Sequence, residues 1–126
     1  MNDSGCEPVF IISVAARLLE MHPQTLRKYE REGLIAPSRT TGNLRLYSDD
    51  DLERLRQVKY LVGERGLNLA GVQLVLELTR HLRAVQNQLG EEMSTRDDPA
   101  LKRVQADLDD LMTHLGVESS ESSWRR

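Results

Sequence analysis

Five side chains carry the clearest chemistry in this chain: Gln24, Thr25, Arg27, Lys28 and Arg31, within the run PQTLRKYERE. At helical spacing Leu26 and Tyr29, with Leu34 just beyond, turn to one side and leave those five on the other. An amide, a hydroxyl and guanidinium groups on one short helix match the donors and acceptors on base edges in a DNA major groove. Arg forks onto guanine, Gln onto adenine, and a Thr methyl meets the thymine methyl. The alternative for an isolated helix of this composition is a solvated amphipathic surface. Arg39, Arg45 and Tyr47 follow closely and suit phosphate contacts, which set register while a helix supplies specificity. No nucleophile motif, phosphate loop or pair of catalytic carboxylates is present, so an enzymatic role has no residues to carry it.

The elements that must position these groups are legible nearby. Ser13 is suited to cap a first helix, whose apolar side is Val14, Ala15, Leu18 and Leu19. Met21-His22 forms the turn, with His22 closing it or reaching DNA. Pro23 suits the first position of a second helix, which runs to Glu32 and stops at Gly33. Leu34-Ile35 and Leu44–Tyr47 read as two short strands around Thr40-Thr41-Gly42-Asn43. The whole reads as a winged helix-turn-helix. Ser13, Arg17 and His22 join Gln24, Thr25, Arg27, Lys28, Tyr29, Arg39, Arg45 and Tyr47 in the predicted DNA-binding set.

The run from Met21 to Leu55 resembles the DNA-binding domain of the MerR family of regulators. The family pattern is T-L-R-x-Y-[ED], then G-L-[ILV]-x-P-x-R, then a wing closing in R-x-Y-S-x-x-D. It is met here by Thr25–Glu30, Gly33–Arg39 and Arg45–Asp51. The runs Ser13–Ala16, Met21–Arg27 and Gly66–Val72 look most like the heat-shock repressors within that family. The likeness covers about residues 9 to 78. It implies a repressor of heat-shock and chaperone genes that binds an inverted-repeat operator as a dimer, with the chaperone DnaK as co-repressor. Two other readings remain open: a MerR-type activator of another stress regulon, and a helical protein-binding adaptor without DNA binding.

Net charge is −3, which looks wrong for a DNA binder until it is divided. Between residues 11 and 48 six basic residues face three acidic ones, and the acidic excess lies elsewhere. Local field governs phosphate attraction, so the acidic total does not count against DNA. Cys6 is the only cysteine, and His22, His81 and His114 lack metal-ligand spacing. No metal or other cofactor is expected, and a thiolate metal sensor of the kind found among MerR relatives is excluded. The apolar run Val9–Ala16 follows Asp3 and Glu7 with no Lys or Arg and breaks at Arg17, which argues against a signal peptide. A cytoplasmic location is the expectation.

Ser48 and Asp51 form a predicted capping box opening a third helix, with Leu52, Leu55, Val58, Tyr60, Leu61 and Val62 as apolar positions. Its basic members Arg54, Arg56 and Lys59 read as solvated. Asn68 is a predicted cap for a fourth helix. Along it Val75, Leu78, Leu82, Val85 and Leu89 recur at heptad spacing, and Leu101, Val104, Leu108, Leu111 and Leu115 repeat it after Asp97-Asp98-Pro99. These two segments either fold on each other or pair with a second chain. Pairing into a homodimer is the preferred reading, and those ten residues are the predicted dimerisation set. The expected fold class is mainly α, a winged helix-turn-helix followed by amphipathic, coiled-coil helices. The expected organisation is a flexible stretch over 1–8, the DNA-binding domain over 9–78, a helical dimerisation or partner region over 79–115 and a disordered tail over 116–126. Trp124 in that tail reads as a partner anchor or as incidental. No membrane association and no small-molecule effector are expected, since the helical half leaves no room for an aromatic drug pocket.

Overall fold

The computed structural model describes residues 8–117. Cys6 and Trp124 lie outside the described residues, as do positions 1–7 of the expected flexible start and 118–126 of the expected disordered tail; of those two stretches, Pro8 pairs with Ser48 in a strand, and the Gly116 and Val117 amides donate to the Thr113 and Met112 carbonyls. The element order is β1 (Pro8–Ile11), α1 (Ile12–Leu19), α2 (Pro23–Arg31), β2 (Ser38–Arg39), β3 (Arg45–Ser48), α3 (Asp49–Gly63), α4 (Leu69–Thr95) and α5 (Pro99–His114). The chain is mainly helical, with one small antiparallel sheet in the order β1-β3-β2.

Two local expectations change. Ser13 is not the cap of α1: the helix starts two residues earlier than that cap would give, and its N-cap is Ile11, which makes no side-chain cap bond. The reason is β1. Ile11 is paired with Leu46 of β3, so the strand itself supplies the extended residue from which the helix starts. Leu34 and Ile35 are not a strand either. Both are buried, at 2% and 5% exposure, and pack in the core. Instead the Leu34 amide donates to the Tyr29 carbonyl at 3.0 Å around Gly33, whose φ is +80°. That is a helix-terminating turn, and it needs the left-handed conformation glycine adopts readily. The first wing strand is displaced to Ser38–Arg39.

Other local signals hold. The Ser48 hydroxyl accepts from the Asp51 amide and the Asp51 carboxylate from the Ser48 amide, each at 3.0 Å. Asn68 caps α4 by accepting from the Gly71 amide at 2.9 Å. Asp98 caps α5 through the Ala100 amide, with Pro99 at its first position.

The core joins every part of the DNA-binding half. Ala15, Ala16 and Leu19 of α1 and Leu26 of α2 meet Leu52, Leu55, Val58 and Leu61 of α3 and Val72 and Leu76 of α4. Helix α3 also sends polar side chains to the ends of its neighbours. Lys59 Nζ donates to the Leu19 carbonyl at 2.9 Å and Arg54 Nε to the Leu34 carbonyl at 2.6 Å. Both residues stay exposed to solvent, yet their head groups are tethered.

Helix α4 runs unbroken for 27 residues, and α5 folds back along it within the same chain. Gln86 Nε2 donates to Asp109 Oδ1 at 3.0 Å, and near the base Gln57 Nε2 donates to both Thr79 Oγ1 (2.8 Å) and the Leu115 carbonyl (2.9 Å). The two helices therefore run antiparallel. The heptad positions do not share one covered seam. Leu108 is buried and Val75, Leu82, Leu89, Leu101 and Leu115 are half-buried, whereas Leu78, Val85, Val104 and Leu111 are exposed. The start of α4 packs into the core through Val72 and Leu76, and that packing sets which positions face outward.

Gln57 is 4% exposed and joins three elements. Replacing it with Ala leaves the Thr79 hydroxyl and the Leu115 carbonyl without that donor. Urea denaturation of Gln57→Ala is expected to show a loss of about 1–3 kcal/mol.

Candidate nucleic-acid interface

Helix α2 is oriented by what it buries. Leu26 is fully buried and Tyr29 is 7% exposed, which fixes the rotation of the helix. Gln24, Lys28 and Arg31 are consequently exposed, and Thr25 and Arg27 half-exposed. The turn before it is held by Glu20, in the left-handed conformation at φ 54°, and by the Met21 amide donating to the Ala16 carbonyl at 2.9 Å. His22 caps α2: its Nδ1 accepts from the Gln24 amide at 3.0 Å. This bond needs the Nδ1 lone pair, so it exists only with an unprotonated Nδ1. Ser13 and Arg17 lie exposed on α1.

The wing is tied to α2 by one carboxylate. Glu30 Oε2 accepts from Arg39 Nη2 at 2.9 Å and Glu30 Oε1 from Arg45 Nε at 2.7 Å. Arg39 Nη1 also reaches the Asn43 carbonyl (3.3 Å) and Asn43 Oδ1 (3.4 Å), closing the wing tip. Partial burial of Glu30 acts to raise its pKa. The hydrogen bonds from Arg45 and Arg39 outweigh that and hold it below the ordinary carboxylate value. Arg39 and Arg45 thus share a protein carboxylate, a role the sequence reading did not assign. Glu30 itself was missed. Its signal was an acidic residue one turn from Arg27, followed at wing spacing by two arginines.

Two members of the predicted set are placed elsewhere. Tyr47 is 0% exposed and Tyr29 nearly so; both rings are core, and burial raises both phenol pKa values. The Tyr47 hydroxyl is buried with no hydrogen-bond partner among the described residues. β3 is central in the sheet, between β1 and β2, and Tyr47 belongs to the core cluster with Leu26, Leu52 and Leu55. Of the predicted set, Ser13 and Arg17 on α1 and His22, Gln24, Thr25, Arg27 and Lys28 on and before α2 thus reach solvent, and Arg39 and Arg45 are joined to α2 through Glu30. Tyr29 and Tyr47 stand beneath as support.

Among the described residues no group of His, Cys, Asp and Glu is arranged to hold a metal ion. No helix among them is long and apolar enough to cross a membrane.

Residues 10–79, more than half of the chain, match the family profile described as MerR HTH family regulatory protein. The chain belongs to the MerR family. Among curated MerR-type relatives, the heat shock protein HspR of Streptomyces coelicolor is 46% identical over 93 residues, covering 74% of this chain and 62% of HspR. The chain thus spans less than two thirds of that relative's length. The HTH-type transcriptional regulator GlnR of Bacillus cereus is 32% identical over 115 residues, covering 91% of this chain and 85% of GlnR. A crystal structure of a MerR-family transcriptional regulator from Bacillus cereus superposes with a TM-score of 0.50 at 21% identity, covering 92% of this chain and 88% of that one. That last likeness concerns the fold alone. The relatives of this MerR-family protein are transcriptional regulators and not enzymes.

Glu30 gives the site a testable pH dependence. Its folded pKa is lowered, so its contribution to stability is complete above the unfolded value near 4.5 and is lost as pH falls through the folded value. The stability gap between wild type and Glu30→Gln, measured by urea denaturation across pH, is expected to be constant at neutral pH and to shrink on acidification below that value.

Proposed function

We propose that this MerR-family protein is a sequence-specific transcriptional repressor of heat-shock and chaperone genes that binds an inverted-repeat operator as a homodimer. The observation that carries the reading is the outward set on α2, where Gln24, Thr25, Arg27, Lys28 and Arg31 all reach solvent while Leu26 and Tyr29 anchor the helix. These groups have the chemistry to read base edges, and Ser13, Arg17 and the wing arginines flank them for phosphate contact. The 46% identity to HspR supports heat-shock genes as the regulon.

Dimerisation is supported by the apolar side chains that the helical hairpin leaves uncovered. Leu78 and Val85 on α4 are each 46% exposed, and Val104 and Leu111 on α5 are 52% and 45% exposed. Covering them with a second copy removes apolar surface from water and places two α2 helices in two-fold symmetry, which an inverted repeat mirrors. Leu82, Leu89, Leu101, Leu108 and Leu115 then contribute by holding the hairpin in shape. DnaK as co-repressor enters through the HspR likeness, with the helical half as its docking region. The location proposed is the cytoplasm, where the operator is. The likeness to GlnR favours a second reading, a MerR-type regulator of a different regulon.

Footprinting on DNA from upstream of its own gene and of a chaperone operon, at fixed salt and with or without DnaK and nucleotide, tests both readings. A protected inverted repeat that tightens with DnaK supports the repressor. Protection confined to other promoters supports the second reading, and no protection at modest salt defeats both. Arg27→Ala is expected to cost about 1–3 kcal/mol of operator binding and to relax base preference. Arg45→Ala is expected to weaken all sequences alike and to lower the salt slope by about 1. Sedimentation should find Val85→Glu monomeric, with operator affinity reduced accordingly.

A further inference from the structure

Two clefts lie between α3 and α4, and none of the outward side chains of α2 lines either of them. The larger has a volume of about 300 Å³ and the smaller about 170 Å³. Both are lined by Arg54, Leu76 and Arg80, and the smaller is closed by Gly33, Leu34 and Gln73. Arg54 and Arg80 are therefore the cationic groups common to both.

The carboxylates nearby are committed. Asp51 accepts from the Ser48 amide at 3.0 Å in the capping box, and Glu53 pairs with Arg83 at 3.7 Å. Asp50 and Arg56, which also line the larger cleft, are engaged as well. Glu77 borders the smaller cleft but forms no ion pair with either arginine. Arg54 uses Nε on the Leu34 carbonyl at 2.6 Å, which leaves its terminal nitrogens as donors. Its pKa is pushed down by burial and by the charge of Arg80, and the Asp51 carboxylate offsets only part of this.

We propose that the Arg54–Arg80 pair is a binding site for a free, small oxyanion of the phosphate class. Two guanidinium groups converging on one anion form charge-assisted, forked hydrogen bonds and remove the repulsion between the arginines. The clefts are too small for the aromatic drug pocket excluded on sequence grounds, but they accommodate a tetrahedral anion. Gly33 and Leu34 connect α2 to the wing, and Arg54 already holds the Leu34 carbonyl. An anion drawing Arg54 and Arg80 together acts on that connection, so occupancy of the site is coupled to the placement of the wing relative to α2. The proposal goes beyond DNA binding and stands or falls separately from it.

The test is an NMR titration of the full-length protein with inorganic phosphate, with chloride adjusted to hold ionic strength constant. The amides of Gly33, Leu34 and Gln73 are expected to shift and to saturate in the millimolar range. Arg80→Gln, an exposed position whose replacement keeps helix propensity, should weaken that binding at least about tenfold. Arg27→Ala, on the DNA-facing side, should leave it unchanged. Shifts confined to residues 24–31, an Arg80→Gln titration identical to wild type, or shifts that do not saturate each overturn the proposal.

Discussion

Glu30 is the point at which helix α2 and the wing are joined. A recognition helix and a wing are useful together only if their separation is fixed, and here a single carboxylate bridges them through Arg39 at 2.9 Å and Arg45 at 2.7 Å. The bridge is partly shielded from water, with the Glu30 side chain 23% exposed, so it is stronger than a surface pair while its arginines remain within reach of solvent. On the proposed function, the same arrangement puts Arg39 and Arg45 in a balance between a protein carboxylate and a DNA phosphate. Two guanidinium groups around one anion is also the geometry a phosphate oxygen would find attractive.

Helix α3 plays the corresponding part inside the molecule. From one helix, Lys59 reaches the end of α1, Arg54 reaches the turn after α2, and Gln57 reaches the end of α5. Each partner is a backbone carbonyl left over where another element stops, so α3 satisfies groups that would otherwise lack protein partners. The apolar side of the same helix, Leu52, Leu55, Val58 and Leu61, fills the core. The recognition helix is thus positioned by packing from below and by hydrogen bonds at its end.

What could be read from the chain divides along physical lines. The Ser48–Asp51 capping box, the Asn68 cap, Pro23 opening α2 and Gly33 ending it depend on residues within a few positions of each other, and local chemistry specifies them. Leu26 and Tyr29 as the buried side of α2 followed from helical period alone. The misses depend on distant partners. Strand β1 exists because Phe10 and Ile11 pair with Tyr47 and Leu46, and that pairing also displaced the expected Ser13 cap. Tyr47 was placed at the surface because nothing nearby reveals that β3 lies between two other strands. The heptads identified both long helices correctly. Which positions face outward was decided by α4 docking on the core, which periodicity alone does not encode.

The return of α5 to α3 has a consequence for how the chain is made. Gln57 and the Leu115 carbonyl it binds are 58 residues apart. The family-matching segment ends at residue 79, so all of it is synthesised before that carbonyl exists. During that interval the new domain already holds Thr79 but has an amide donor whose final partner has not been synthesised. Through that interval the residues of α1, α2 and the wing exist while the end of α5 does not, and synthesis of its last turn supplies the carbonyl that Gln57 binds.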